Sequence, residues 1–168
     1  MIRVLSALKD VMRQEVDEYT QMLAFAEEKK EVLLKNDTAE LDIIVAKEWI
    51  VLKKIKQLEA QRESLIERTE ALCHVQKGSM SFQDIINVTK GEMREDMMQL
   101  KSQLSNVVLR LKGQNAANKI LIETHLQYSA FCVNLLSGSI NSSLNTYSHS
   151  GELSDKQENG TMLIDQSV

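Results

Sequence analysis

With 168 residues the chain fits a single domain, yet it holds no proline, 6 glycines and 4% aromatics against 26% charged residues. That composition belongs to long helices packed through narrow apolar seams and argues against an enzyme with a built cleft. A formal charge of -4, with 20 Lys and Arg interspersed among 24 acids, lacks the basic stripe needed to neutralise phosphates, so no nucleic acid is expected as a partner.

The opening residues carry no long apolar h-region, and no run of about 18 apolar residues occurs that could span a bilayer. The expectation is a cytoplasmic protein without membrane insertion. Cys73 and Cys132 lie far apart with no C-x-x-C spacing, which fits ordinary thiols in a reducing compartment.

The first element is a helix over about residues 2–35. Its seam runs Leu5, Leu8, Met12, Glu15, Tyr19, Met22, Ala26, Lys29 and Leu33, the 3-4 alternation of a helix packed on other helices. It stops at Asn36-Asp37, where Asp37 can cap a new helix and Glu40 stands at capping-box spacing. The second helix, about 38–73, carries Leu41, Ile44, Glu48, Val51, Ile55, Leu58, Arg62, Leu65, Thr69 and Leu72. So short a turn predicts an antiparallel hairpin, with arms of roughly 50 Å.

Four seam positions are charged. In an antiparallel pair, facing residues share a constant sum of residue numbers, and Lys29 with Glu48 gives the same sum as Glu15 with Arg62, namely 77. Two interhelical ion pairs are therefore expected. Their centre falls within two residues of the turn inferred from capping. Such pairs fix register more than they stabilise, because desolvation offsets much of the Coulomb gain; the alternative is that these side chains snorkel to solvent.

His74 to Ser81 reads as a loop, after which Ser81 can cap a short helix over about 81–88 carrying Phe82, Ile85, Ile86 and Val88. Thr89 with Glu92 offers a further capping box for a long helix over about 90–136. Its stripe is Met93, Met97, Leu100, Leu104, Val107, Leu111, Gln114, Asn118, Leu121, His125, Tyr128, Cys132 and Leu135. The fold class is thus all-α: a long antiparallel hairpin plus a third long helix, forming an elongated bundle over 1–136. Beyond Ser137-Gly138-Ser139 the composition shifts to Ser, Asn, Gly and Thr. Residues 137–168 read as a separate C-terminal segment, with a tail mobile when alone from about Ser148.

No constellation for chemistry emerges, and no catalytic residue, cofactor or metal is expected. Cys73 and His74 are adjacent and cannot present a tetrahedral ligand set, while His125 and Cys132 are separated by about 10 Å along one helix. Met80, Met93, Met97 and Met98 could make an adaptable binding surface, although filling the core beside the short helix is the simpler reading. Gln114, Asn115 and Asn118 place amides in or beside the seam, a structural device for fixing register.

The third helix exceeds each hairpin arm by roughly 15 to 20 Å. The hairpin should end opposite about His125, leaving Leu126, Tyr128, Phe131, Cys132, Leu135 and Leu136 without intramolecular cover. Apolar patches of that kind mark partner surfaces, and an amphipathic helix from another protein would complete the bundle. Alternatively, Ile140 to Tyr147 folds back over the patch in the free protein.

In this order of elements the chain resembles the FlgN family of flagellar type III export chaperones. The resemblance is carried by Glu15 to Ala24 with Lys29 and the run from Glu48 to Arg62, by Q-N-A-A-N-K-I-L-I from Gln114 to Ile122, and by T-Y-S-H-S-G from Thr146 to Gly151. Leu163-Ile164-Asp165 is a looser match to a terminal apolar-Asp element. The resemblance implies a cytosolic chaperone that holds hook-filament junction proteins through its C-terminal region, with export-apparatus components as a further partner class and a monomeric or weakly dimeric free state. Leu126, Tyr128, Phe131, Leu135, Leu136, Ile140, Leu144 and Tyr147 are then the partner-binding candidates. A structural or adaptor coiled coil that self-associates is the competing class.

Overall fold

The computed structural model describes residues 1–143. Four helices follow one another: α1 (Ile2–Lys35), α2 (Thr38–Leu72), α3 (Phe82–Val88) and α4 (Glu92–Ser143), with no strand among the described residues. The chain divides into two compact units, Met1–Gln127 and Tyr128–Val168. The first holds α1, α2, α3 and most of α4, and the described part of the second is the remainder of α4.

The α1–α2 turn is closed by local chemistry. Asn36 adopts the left-handed conformation at φ 55° and ψ 36°; its N–H donates to the Leu33 carbonyl, and that of Asp37 donates to the Val32 carbonyl. Those two bonds satisfy the end of α1 in a Schellman motif, with asparagine, whose short side chain tolerates this conformation, where glycine is commoner. The Asp37 carboxylate then accepts from the Glu40 N–H at 3.1 Å and caps α2.

α3 begins with a complete capping box: Asp84 N–H donates to the Ser81 hydroxyl, while the Ser81 N–H donates back to the Asp84 carboxylate. The start of α4 departs from the sequence expectation. Thr89 does not cap it, because its hydroxyl donates to the Ile85 carbonyl at 2.7 Å and closes α3. The carbonyl of Gly91 accepts from Arg94 and Glu95 instead, and Gly91 has the positive φ of 64° that favours glycine. At its other end α4 continues through Ser137, Gly138 and Ser139 to Ser143, seven residues past the expected stop at Leu136. A single glycine costs a helix only about 1 kcal/mol, and the chain has no proline to end it.

Two apolar clusters make the core of the first unit. Leu5, Leu8 and Val11 of α1 meet Leu58 and Leu65 of α2, Ile85 and Ile86 of α3, and Met97 of α4. Further along, Met22, Leu23 and Ala26 meet Val51, Ile55, Val107 and Leu111. The shared partners show that α4 runs antiparallel to α2 and parallel to α1. Met80 and Met93 pack against the first cluster beside Met97, so these methionines fill core, while Met98 faces outward.

Between the α1 residues of the two clusters sits Glu15, fully buried. Arg62 Nε donates to its Oε1 at 2.9 Å, and Lys29 Nζ donates to Glu48 beyond the second cluster. The structure therefore brings together the two couples whose numbers sum to 77. Lys29 and Glu48 are each largely covered, with side-chain exposures of 15% and 17%. Tyr19, one turn from Glu15, donates to Glu59 at 2.9 Å; burial first, and the Glu59 carboxylate second, push its pKa up to about 12.

The second oxygen of Glu15 is buried with no hydrogen-bond partner among the described residues. Burial accordingly raises the Glu15 pKa, and the Arg62 guanidinium only partly offsets this. Removing Arg62 alone should be costly, because it strands a buried charge. Arg62→Leu is expected to destabilise by about 3 kcal/mol in urea denaturation, and adding Glu15→Leu should recover most of that loss. With its pKa raised in the fold, Glu15 contributes stability when protonated, which is present below the unfolded pKa and lost as pH rises through the folded one. The Arg62→Leu deficit should thus shrink on acidification from neutrality toward the ordinary carboxylate pKa of 4.5, whereas a deficit independent of pH would contradict the role given to Glu15.

Candidate partner-binding surface

The stripe of α4 changes character along its length. From Met97 to Asn118 its seam residues are buried or half-buried, and Leu121 and His125 are still partly covered. In the second unit, Tyr128, Phe131, Val133 and Leu135 are more than half exposed, at 68%, 58%, 51% and 57%. Tyr128, Phe131 and Leu135 share one helical stripe by spacing, with the half-buried Cys132 among them. The Tyr128 hydroxyl interacts with Cys132 one turn on, which raises the tyrosine pKa above its usual value. Leu136 is also exposed, as is Leu126 near the end of the first unit. Ile140 belongs to the last turns of α4. Leu144 and Tyr147, the T-Y-S-H-S-G run and Leu163-Ile164-Asp165 lie outside the described residues, and so does the second half, 144–147, of the segment that could fold back over the patch.

The seam amides tie α4 to the hairpin. Asn118, 3% exposed, donates through Nδ2 to the Ala26 carbonyl at 2.7 Å, and Gln114 Nε2 donates to Asn118 Oδ1 at 3.2 Å. Every polar atom of the buried asparagine thus has a use on α1 or α4. Two surface contacts run alongside: Lys9 to Asp96 at 2.9 Å and Arg110 to Glu27 at 3.2 Å. Their order along the two helices is that of α4 running parallel to α1.

Sequence reasoning missed two features. Glu70 is buried, and its carboxylate accepts from the N–H groups of Gly78 at 2.9 Å and Met80 at 2.8 Å, which lowers its pKa and fastens the loop ahead of α3. The spacing of Glu70 on α2 gives no sign of loop amides that fold back onto it. The second is an open groove of about 750 Å³ between α2 and α4, floored by Met22, Leu52, Ile55 and Leu111 and edged by Trp49. A signal for it was present: Val45, Trp49, Leu52 and Lys56 form a second row beside the α2 seam, at helical spacing.

No group of three or more metal-ligating side chains occurs among the described residues, and no described helix is long and apolar enough to cross a membrane. What the first unit presents is a helical frame locked by polar side chains in its seams, and what the second presents is a helix with an exposed apolar stripe. The family model of FlgN protein matches residues 1–155, which takes in all four helices. The chain belongs to the FlgN family.

FlgN is a family of flagellar chaperones rather than of enzymes. Among curated proteins, the chain is 31% identical over 118 residues to YvyG, an uncharacterized protein of Bacillus subtilis (strain 168), covering 70% of this chain and 71% of the relative. No solved structure matches it. The stretch from Gln114 to Ile122 that resembles FlgN proteins acquires a physical role here, since its Gln114 and Asn118 relay hydrogen bonds to the Ala26 carbonyl of α1. Asn118→Ala is expected to cost about 1 to 3 kcal/mol by urea denaturation followed by circular dichroism, without loss of helicity in the folded protein. A cost near zero would show that the relay does not hold α4 in place.

Proposed function

We propose that this FlgN-family chain is a cytosolic export chaperone that binds C-terminal helical segments of flagellar hook-filament junction proteins and keeps them unassembled until secretion. The observation that carries the reading is the stripe of Tyr128, Phe131 and Leu135, whose large apolar side chains stand more than half exposed on one helix. A soluble chain rarely leaves such side chains adjacent in water unless a partner covers them. Leu126, Leu136, Ile140, Leu144 and Tyr147 continue the supply of apolar side chains along the sequence on either side.

An amphipathic partner helix would bury its apolar face against this stripe, hiding the surface through which junction proteins would otherwise associate prematurely. Release needs no covalent step: binding energy is confined to one helical face, and components of the export apparatus can compete for it. The free chaperone is a monomer or weak dimer in this reading.

Isothermal titration with the C-terminal fragment of a hook-filament junction protein tests the proposal. Wild type is expected to bind, and Phe131→Asp with Leu135→Asp, its helicity verified by circular dichroism, is expected to bind at least tenfold more weakly because each charge would be buried unpaired at the interface. Absence of binding by wild type would remove the junction-protein assignment and favour a self-associating coiled coil.

A further inference from the structure

The exposed apolar side chains of the second unit are not confined to one narrow stripe. At about 100° of rotation per residue, Phe131, Leu135, Tyr128, Leu136 and Val133 follow one another around the helix over an arc of about 200°. Phe131 stands at one margin of that arc and Val133, 51% exposed, at the other. Ala130, Asn134 and Ser137 occupy the opposite side.

A helix that packs on a single surface shows an apolar stripe of roughly 100°. Twice that width belongs to a helix with two helical neighbours. In the first unit α4 has such an environment: Met97 shares one cluster with side chains of α1 and α2, and Val107 and Leu111 share another. The flanks of α4 carry Lys101, Arg110, Lys112 and Lys119 there, whereas no Lys, Arg, Asp or Glu occurs from Thr124 to Gly151, in a chain of which 26% is charged. Charged side chains ordinarily border the part of a helix that meets water, and both margins of this arc lack them.

We propose that the client supplies two amphipathic helices lying side by side along the end of α4, one against Tyr128, Phe131 and Leu135 and the other against Val133 and Leu136. Both are uncharged where they touch it. The inference rests on the chaperone reading and adds the form of the client, a pair of helices in place of a single one. Because α4 offers no countercharge, a Lys or Glu of the client at either contact would be buried unpaired, so the surface selects apolar seams interspersed with Ser, Asn or Gln. Affinity that contains no ion pairs is also insensitive to salt.

Thiol protection tests both contacts in the full chain. In a background of Cys73→Ser with Cys132→Ser, the reporters Phe131→Cys, Val133→Cys and Asn134→Cys would each be reacted with a maleimide, with and without a saturating C-terminal fragment of a hook-filament junction protein. Reaction at 131 and 133 is expected to slow at least tenfold in the complex, and at 134 less than twofold. Val133→Asp, with helicity checked by circular dichroism, should bind at least tenfold more weakly in isothermal titration, and wild-type affinity should change less than threefold between 0.05 and 0.5 M NaCl. Protection at 131 with none at 133, or a Val133→Asp variant that binds like wild type, would overturn the two-helix client and leave the chaperone reading standing. No binding by wild type would overturn both. A tenfold loss of affinity in salt would overturn the uncharged contact. Slow reaction at 133 without the fragment would also refute the proposal, since it assigns that margin to a second copy if the rate varies with protein concentration and to the chain's own C-terminal segment if it does not.

Discussion

A carboxylate with no access to water sits in the middle of the hairpin seam, and the arrangement of the helices follows from how it is satisfied. Glu15 can be ionised only while Arg62 faces it, and sliding α2 by one turn along α1 would replace that guanidinium with an apolar side chain. The apolar clusters on either side would tolerate such a shift far better, since Leu, Ile, Val and Met are nearly interchangeable in a seam. Stability comes from the clusters; uniqueness of register comes from the charged pairs, at an energetic cost visible in the raised pKa of Glu15.

With the hairpin register fixed, α4 has one place to lie. Asn118 finds the Ala26 carbonyl, Lys9 finds Asp96, and Met97 enters the cluster that α3 completes. The Glu70 carboxylate holds the loop ahead of α3 by accepting hydrogen bonds from two backbone N–H groups, so α3 and the start of α4 are set from α2. A chaperone needs a rigid frame that does not compete for its client, and a frame whose seam polar groups are almost all engaged internally meets that need.

Much of this was legible in the sequence because long helices obey one periodicity. The seam residues of α1 all prove buried or half-buried, and on α2 only Leu72 at the very end is exposed. The charged couples could be placed because antiparallel pairing has simple arithmetic. Where two local solutions were available, the pattern could not choose: Thr89 and Gly91 are both reasonable caps for α4, and the outcome turned on the Thr89 hydroxyl closing α3. The Ser137-Gly138-Ser139 run suggests a stop at Leu136, although in a chain without proline a lone glycine within a small-residue run need not end a helix. The groove and the Glu70 loop depend on which flank of α2 its neighbours cover, and that is decided in three dimensions. Of the candidate binding residues, Leu126, Tyr128, Phe131, Leu135 and Leu136 follow from helix lengths alone, while their partner rests on the family.

The central claim is that a frame locked by its seam presents α4's terminal stripe to a helical client. Hydrogen exchange of the full chain, alone and with the C-terminal fragment of a hook-filament junction protein, tests it most directly. New protection confined to residues 126–147, with the α1–α2 seam around Glu15 and Arg62 unchanged, is the predicted result. Protection gained mainly within that seam, or none at all in residues 126–147, would contradict it.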